Sequence, residues 1–117
     1  MLVKTDLSIA FKDALGQYNL NDINIFKMDD LNGKLTGVNI KYYNSREVLI
    51  RIKCPICNNY HYYCYDINDL LNREMIIGGC EEYGVPVFYV GKDVSVKHAV
   101  NNYRKVTNFI YAMIWVQ

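Results

Sequence analysis

Breakers are scarce in this chain: 117 residues include only 2 prolines and 7 glycines, with no glycine- or proline-rich stretch. That excludes collagen-like and low-complexity architectures and leaves room for regular elements. Charge of one sign is also missing, because 13 Lys and Arg meet 12 Asp and Glu for a net charge of +1 and a pI near 7.6. A protein that grips duplex nucleic acid through many phosphates usually shows a basic face and a high pI, so the totals do not prompt that function. The longest apolar run, residues 109–116, is far short of the roughly 20 residues a bilayer demands. Met1-Leu2-Val3 meets Lys4, Thr5 and Asp6 at once, which is unlike a signal peptide. A cytoplasmic protein without membrane contact is therefore expected.

Apolar residues make up 51% of the chain, with 11 Tyr and 4 Phe. That exceeds what a disordered chain carries, so one packed domain over residues 1–117 is expected. Cytosolic thiols stay reduced, and four cysteines with one close pair therefore point to metal in preference to disulfides.

Leu7, Ala10, Phe11, Ala14, Leu15 and Tyr18 recur at three- and four-residue steps, predicting a short helix from Thr5 or Asp6. From Ile23 the period becomes two, predicting a strand over residues 23–28. Asn32-Gly33 predicts a tight hairpin turn with positive φ at both central positions, leading into a strand over residues 34–43. Val48, Ile50 and Ile52 alternate with Leu49, Arg51 and Lys53, which extends an antiparallel meander. Aromatic residues 60–65 make a returning strand, Asp66 caps a short helix through Leu70 and Leu71, and residues 75–77 and 85–90 are two more strands. Val96, Ala99, Val100, Tyr103 and Val106 keep helical spacing, so a long amphipathic helix runs from Asp93 or Val94 to the end. Its last two turns, from Phe109, are apolar nearly all round and suit either burial or contact with a protein partner or a second copy of the chain.

The chemistry concentrates at Cys54-Pro55-Ile56-Cys57 and Gly78-Gly79-Cys80. Two cysteines separated by two residues on a tight turn can aim both sulfurs at one tetrahedral ion, while turn amides bond the thiolates. The fourth ligand is His61 or Cys64. Strand alternation puts His61 on the face of Tyr63 and Tyr65 and Cys64 on that of Tyr62, so both do not easily reach one ion. His61 follows Cys57 by four residues, whereas Cys64 lies three residues, about 10 Å, further up the strand. The expected ligands are Cys54, Cys57, His61 and Cys80, with Cys64 as the alternate to His61 and otherwise a small ordinary hydrophobe. His98 reads as a helix-surface residue.

With its two facing hairpin tips, the stretch over about residues 47–90 resembles the zinc β-ribbon class, which implies structural Zn2+. It departs from that class in its second knuckle, Gly79-Cys80-Glu81-Glu82-Tyr83-Gly84, which has one cysteine in place of two.

The fold class expected is α+β: an antiparallel sheet with a zinc-ribbon-like knuckle, a short N-terminal helix and a long C-terminal amphipathic helix. Four protein ligands close the site, so a zinc-stabilised module acting through protein contact is expected, without catalysis. Two other readings stand beside it. Tyr60, Tyr62, Tyr63 and Tyr65 beside Arg51 and Lys53 could stack the bases of single-stranded nucleic acid, or the rings could build the core. Cys-Pro-Ile-Cys with the later Val85-Pro86 also resembles the glutaredoxins, which implies thiol-disulfide exchange through Cys54 and Cys57. That chemistry needs a helix beginning at the first cysteine, and residues 58–63 are poor helix formers.

Overall fold

In a computed structural model describing residues 5–115, and the side chains of residues 5–107, antiparallel strands form two sheets beside one long helix. The α+β class holds. Strands β1 (Asp6–Lys12) and β2 (Tyr18–Asn24) form a hairpin, and a 3-10 turn over Met28–Leu31 then carries the chain to a second sheet. That sheet is a meander of β3 (Val38–Tyr42), β4 (Glu47–Lys53) and β5 (Tyr60–Asp66). Helix α1 (Ile67–Asn72) returns the chain to β6 (Met75–Gly79) and β7 (Pro86–Gly91), and α2 (Asp93–Trp115) follows. Strand order in the first sheet is β2-β1-β7-β6, so its two ends of chain meet where β1 pairs with β7.

The predicted N-terminal helix is a strand. Leu7, Ile9 and Phe11 join the core between the sheets, while Ala10 packs on the opposite side with Tyr18, Tyr89, Val96 and Val100. Residues 7–11 are thus all buried. A strand covered on both faces loses the polar half of its alternation, and its continuous apolar run is then indistinguishable from a helix by spacing. Leu15, counted on the helical face, is 86% exposed in the hairpin turn. There Asp13 accepts the Leu15 and Gln17 amides at 2.9 and 3.0 Å, and Gly16 adopts φ +79°.

The strand expected over residues 23–28 also shifts: β2 ends at Asn24, and Ile25 and Met28 instead bury themselves around the 3-10 turn. Tyr42 holds this crossing by donating its hydroxyl to the Ile25 carbonyl at 2.6 Å and accepting the Met28 amide at 2.9 Å. Asn32-Gly33 is a turn, but not the expected hairpin turn. Asn32 has φ −63° and ψ 129° and Gly33 has φ +86°, which is a type II turn closed by the Lys34 amide on the Leu31 carbonyl at 3.1 Å. Freed from the hairpin, the Asn32 side chain brackets both backbone groups of Ile40, at 2.8 and 2.6 Å.

Between the two sheets lies the larger core, centred on Phe88, with Ile50, Val48 and Ile40 from the second sheet fully buried against it. Helix α2 covers the other side of the first sheet through Val96 and Val100. Each such fully buried side chain contributes about 1.5–3 kcal/mol. The Tyr103 ring meets Tyr18 edge-on at 4.9 Å and its hydroxyl reaches the Gly16 carbonyl at 2.7 Å, which pins the first hairpin to the helix. Side chains of the apolar helix end at residues 109–116 lie outside the described residues, and with them the expected contact for a protein partner or second copy. Among the described residues no helix is long and apolar enough to cross a membrane.

Candidate metal centre

Strand β4 delivers Cys54 directly from Lys53, and the chain turns within Pro55-Ile56-Cys57 before β5 begins at Tyr60. The turn closes on two backbone bonds, Cys54 N–H to the Asn59 carbonyl at 2.8 Å and Asn58 N–H to the Cys54 carbonyl at 3.0 Å. Asn58 takes φ +64°, a left-handed conformation that asparagine tolerates better than most residues. The Ile56 amide points at the Cys54 sulfur, 3.4 Å away. The second turn repeats this pattern bond for bond: Cys80 N–H meets the Val85 carbonyl at 2.9 Å and Gly84 N–H meets the Cys80 carbonyl at 2.7 Å. Gly84, at φ +67°, stands where Asn58 does.

The two turns are therefore copies, and Tyr83 occupies the place that Cys57 has in the first. It is 63% exposed. The missing cysteine is plain in the sequence, whereas this equivalence emerges from the backbone. Its signal is the shared spacing from cysteine to a left-handed residue, Cys54 to Asn58 and Cys80 to Gly84.

Donor atoms of Cys54, Cys57, His61 and Cys80 all lie within 4.8 Å of one another. A tetrahedron with metal bonds of about 2.0–2.3 Å has edges of about 3.3–3.8 Å, so the four are positioned to hold one ion after a small contraction. Cys54 and Cys80 are buried and His61 is 5% exposed. His61 sits opposite Ile52 on the inward face of β5, with Nε2 3.2 Å from the Cys57 sulfur. None of the four cysteines is in a disulfide.

Cys64 is elsewhere. It is exposed on the outward face of β5 and gives its thiol to Glu47 at 3.2 Å. That bond to a carboxylate, with some burial and the charge of Glu47, pushes the thiol pKa up. His98 is exposed on α2 beside Asn102.

Electrostatics within the cluster differ from thiol to thiol. Burial opposes ionisation of Cys80, but the Tyr83 and Glu82 amides, His61 and Cys57 outweigh it and bring the thiol down to about 7. Cys57 moves the other way, because burial and the neighbouring Cys54 and Cys80 thiols exceed the help of the Asn59 amide. Cys80 is thus ready to ionise before Cys57, as expected where like groups crowd without a cation. A cation placed among them favours the thiolate at every sulfur.

Two contacts beside the cluster join the sheets. Asn59 of the first turn donates to Glu82 of the second at 3.3 Å, and the Tyr63 hydroxyl donates to the Gly79 carbonyl at 2.6 Å. Burial, with the nearby Tyr65, Cys54, Cys80 and Glu81, raises Tyr63 to about 12, and burial raises Tyr65 to about 12. Both folded values lie above the ordinary 10.0, so stability contributed by the protonated rings is full below pH 10 and is lost as pH rises towards 12. In an ultraviolet titration these tyrosines should ionise late and together with alkaline unfolding; their titration near 10 in the folded protein contradicts the packing described.

No helix begins at Cys54, since the residues after Cys57 enter β5 and α1 starts only at Ile67. The geometry that a glutaredoxin-like dithiol relies on is absent from this turn. No protein-family model matches the chain, and no curated protein or solved structure matches it.

Proposed function

We propose that this protein is a small zinc-stabilised binding module, and that its metal is structural. The observation that carries the reading is the gathering of three cysteine sulfurs and one imidazole nitrogen within 4.8 Å, supplied by two sheets through two matching turns. Three thiolates and an imidazole form a borderline-soft tetrahedral set, the donor chemistry of structural zinc. With four protein donors, no coordination position is left for water or substrate, so the ion's role is to hold the turns together. Function then lies in a surface that this arrangement keeps rigid, in place of turnover.

Elemental analysis of the purified protein tests this directly. One zinc per chain is expected, lost on Cys80→Ser or His61→Ala and kept on Cys64→Ser. Full zinc retention by the His61 variant overturns the ligand set, and a metal-free protein refolded in zinc that takes none up overturns the module.

A further inference from the structure

We propose that the outward face of the β3-β4-β5 sheet, with the groove that adjoins it beside the first metal turn, binds single-stranded nucleic acid. The inference rests on the module reading, because the β4–β5 hairpin that presents the face is the one whose tip carries three of the four metal donors. On that face Tyr60 and Tyr62 are 48% and 60% exposed. Both rings stay outside while their neighbours Tyr63 and Tyr65 pack inward against Phe88. Two residues apart on one strand, they stand roughly 7 Å from each other on the same side. Register places Lys53 opposite Tyr60 and Arg51 opposite Tyr62. The Arg51 guanidinium lies 5.0 Å and the Lys53 ammonium 5.2 Å from the Tyr60 ring centre.

Below Tyr60 the surface folds into a groove of about 680 Å³, in which Lys53 and Tyr60 are joined by Lys34, while Lys12 at its edge holds its ammonium over the Tyr18 and Tyr103 rings, 5.4 and 5.0 Å away. Among the described residues Asp13 is the one carboxylate lining it, and that side chain is already engaged by the Leu15 and Gln17 amides of its own turn. Cations are therefore concentrated here in a chain whose net charge is only +1.

Ring faces next to fixed cations are what a single strand needs: bases stack on the aromatics while phosphates follow the positive groove. In a duplex the base faces are already stacked on one another and are not available for such contact, so the flat face favours unpaired strands. Sequence preference is weak in this mode, because every base has a π-face.

Fluorescence anisotropy of the zinc-loaded full-length protein with short labelled oligo(dT) and oligo(U), against a duplex of equal length, provides the test. Binding should be tighter to the single strands and should weaken with added salt. Replacing Tyr60 and Tyr62 together by alanine should weaken it at least about ten-fold. Lys34→Gln and Lys53→Gln should each flatten the logarithmic salt slope by about 0.7. These side chains lie at the surface, so zinc content and thermal unfolding should be unchanged in every variant. The proposal is overturned if the zinc-loaded protein ignores single strands at low salt, holds duplex equally well, or binds undiminished without the two tyrosines. It is equally overturned if the same residues capture only an acidic protein. Zinc measured in the same samples separates the two readings: a loaded, folded chain that binds no oligonucleotide removes only this inference, whereas a chain that cannot take up zinc removes the module itself.

Discussion

Stripping zinc from the purified protein with a strong chelator should lower its melting temperature by roughly 10–20 °C, while most secondary structure survives at room temperature. The size follows from linkage. Metal present at a thousand times its dissociation constant stabilises the folded state by about 4 kcal/mol, provided the unfolded chain binds it weakly. Survival follows from the core, because Phe88, Ile50, Val48 and Ile40 are fully buried between the sheets without any help from the cluster. Cysteine side chains buried like those of Cys54 and Cys80 also pack as small groups among hydrophobes, which a metal-free core tolerates. A metal held by the four donors would add a cross-link between the hairpin of the second sheet and the end of β6 in the first. Loosening should therefore begin at residues 80–85 and 54–59, visible as faster amide exchange at Cys54, Asn58, Cys80 and Gly84, whose bonds close the two turns. An unchanged melting temperature after chelation, with zinc removal verified, would rule out the cross-link.

Phe88→Ala is expected to cost about 3–5 kcal/mol, a large share of the roughly 5–15 kcal/mol that holds a domain folded. Phe88 is completely buried where three other rings converge. Its centre is 4.8 Å from Tyr63 and 6.2 Å from Tyr65, both near edge-on, and 5.7 Å from Phe11. Truncation removes the transfer energy of the ring, opens a cavity between stiff strands, and forfeits the edge-to-face geometry. Gly78, paired with Phe88 in the β6–β7 ladder, confirms how full this space is, because a Cβ there would overlap the ring. Gly78→Ala alone should thus be destabilising by about 1–3 kcal/mol. Combined with Phe88→Leu it should cost less than the sum of the single changes, since the smaller side chain makes room. Urea unfolding measures Phe88→Ala, Gly78→Ala, Phe88→Leu and the double variant, and a loss below about 1 kcal/mol for Phe88→Ala contradicts this account of the core.

The Cys/His cluster was largely legible before the structure. Cys54 and Cys57 announce a knuckle by spacing, and Cys80 follows a Gly-Gly pair. The choice of His61 over Cys64 depends on strand alternation and on the closeness of His61 to Cys57, and the structure places His61 inward and Cys64 outward. The equivalence of the two turns is masked by Tyr83, which stands where a second cysteine would have marked it, and only the shared spacing of Cys54 to Asn58 and Cys80 to Gly84 signals it. Among the tyrosines, alternation separates those of the core from those of the surface, but which face meets a second sheet depends on residues far along the chain.

Local chemistry therefore determined the elements whose two faces differ. Strand β4, helix α1 with its Asp66 cap accepting the Asn68 amide at 2.8 Å, and helix α2 all appear where their patterns put them. Only tertiary structure decided β1. Its residues satisfy helical and strand spacing equally, and the tie is broken by pairing with β7, Ser8 to Gly91 and Phe11 to Phe88. Only tertiary structure, too, divided the strands into two sheets with the four donors between them. Side-chain periodicity reports the contrast between a buried and an exposed face, and it falls silent where both faces are buried; there the partner strand, distant in sequence, makes the choice.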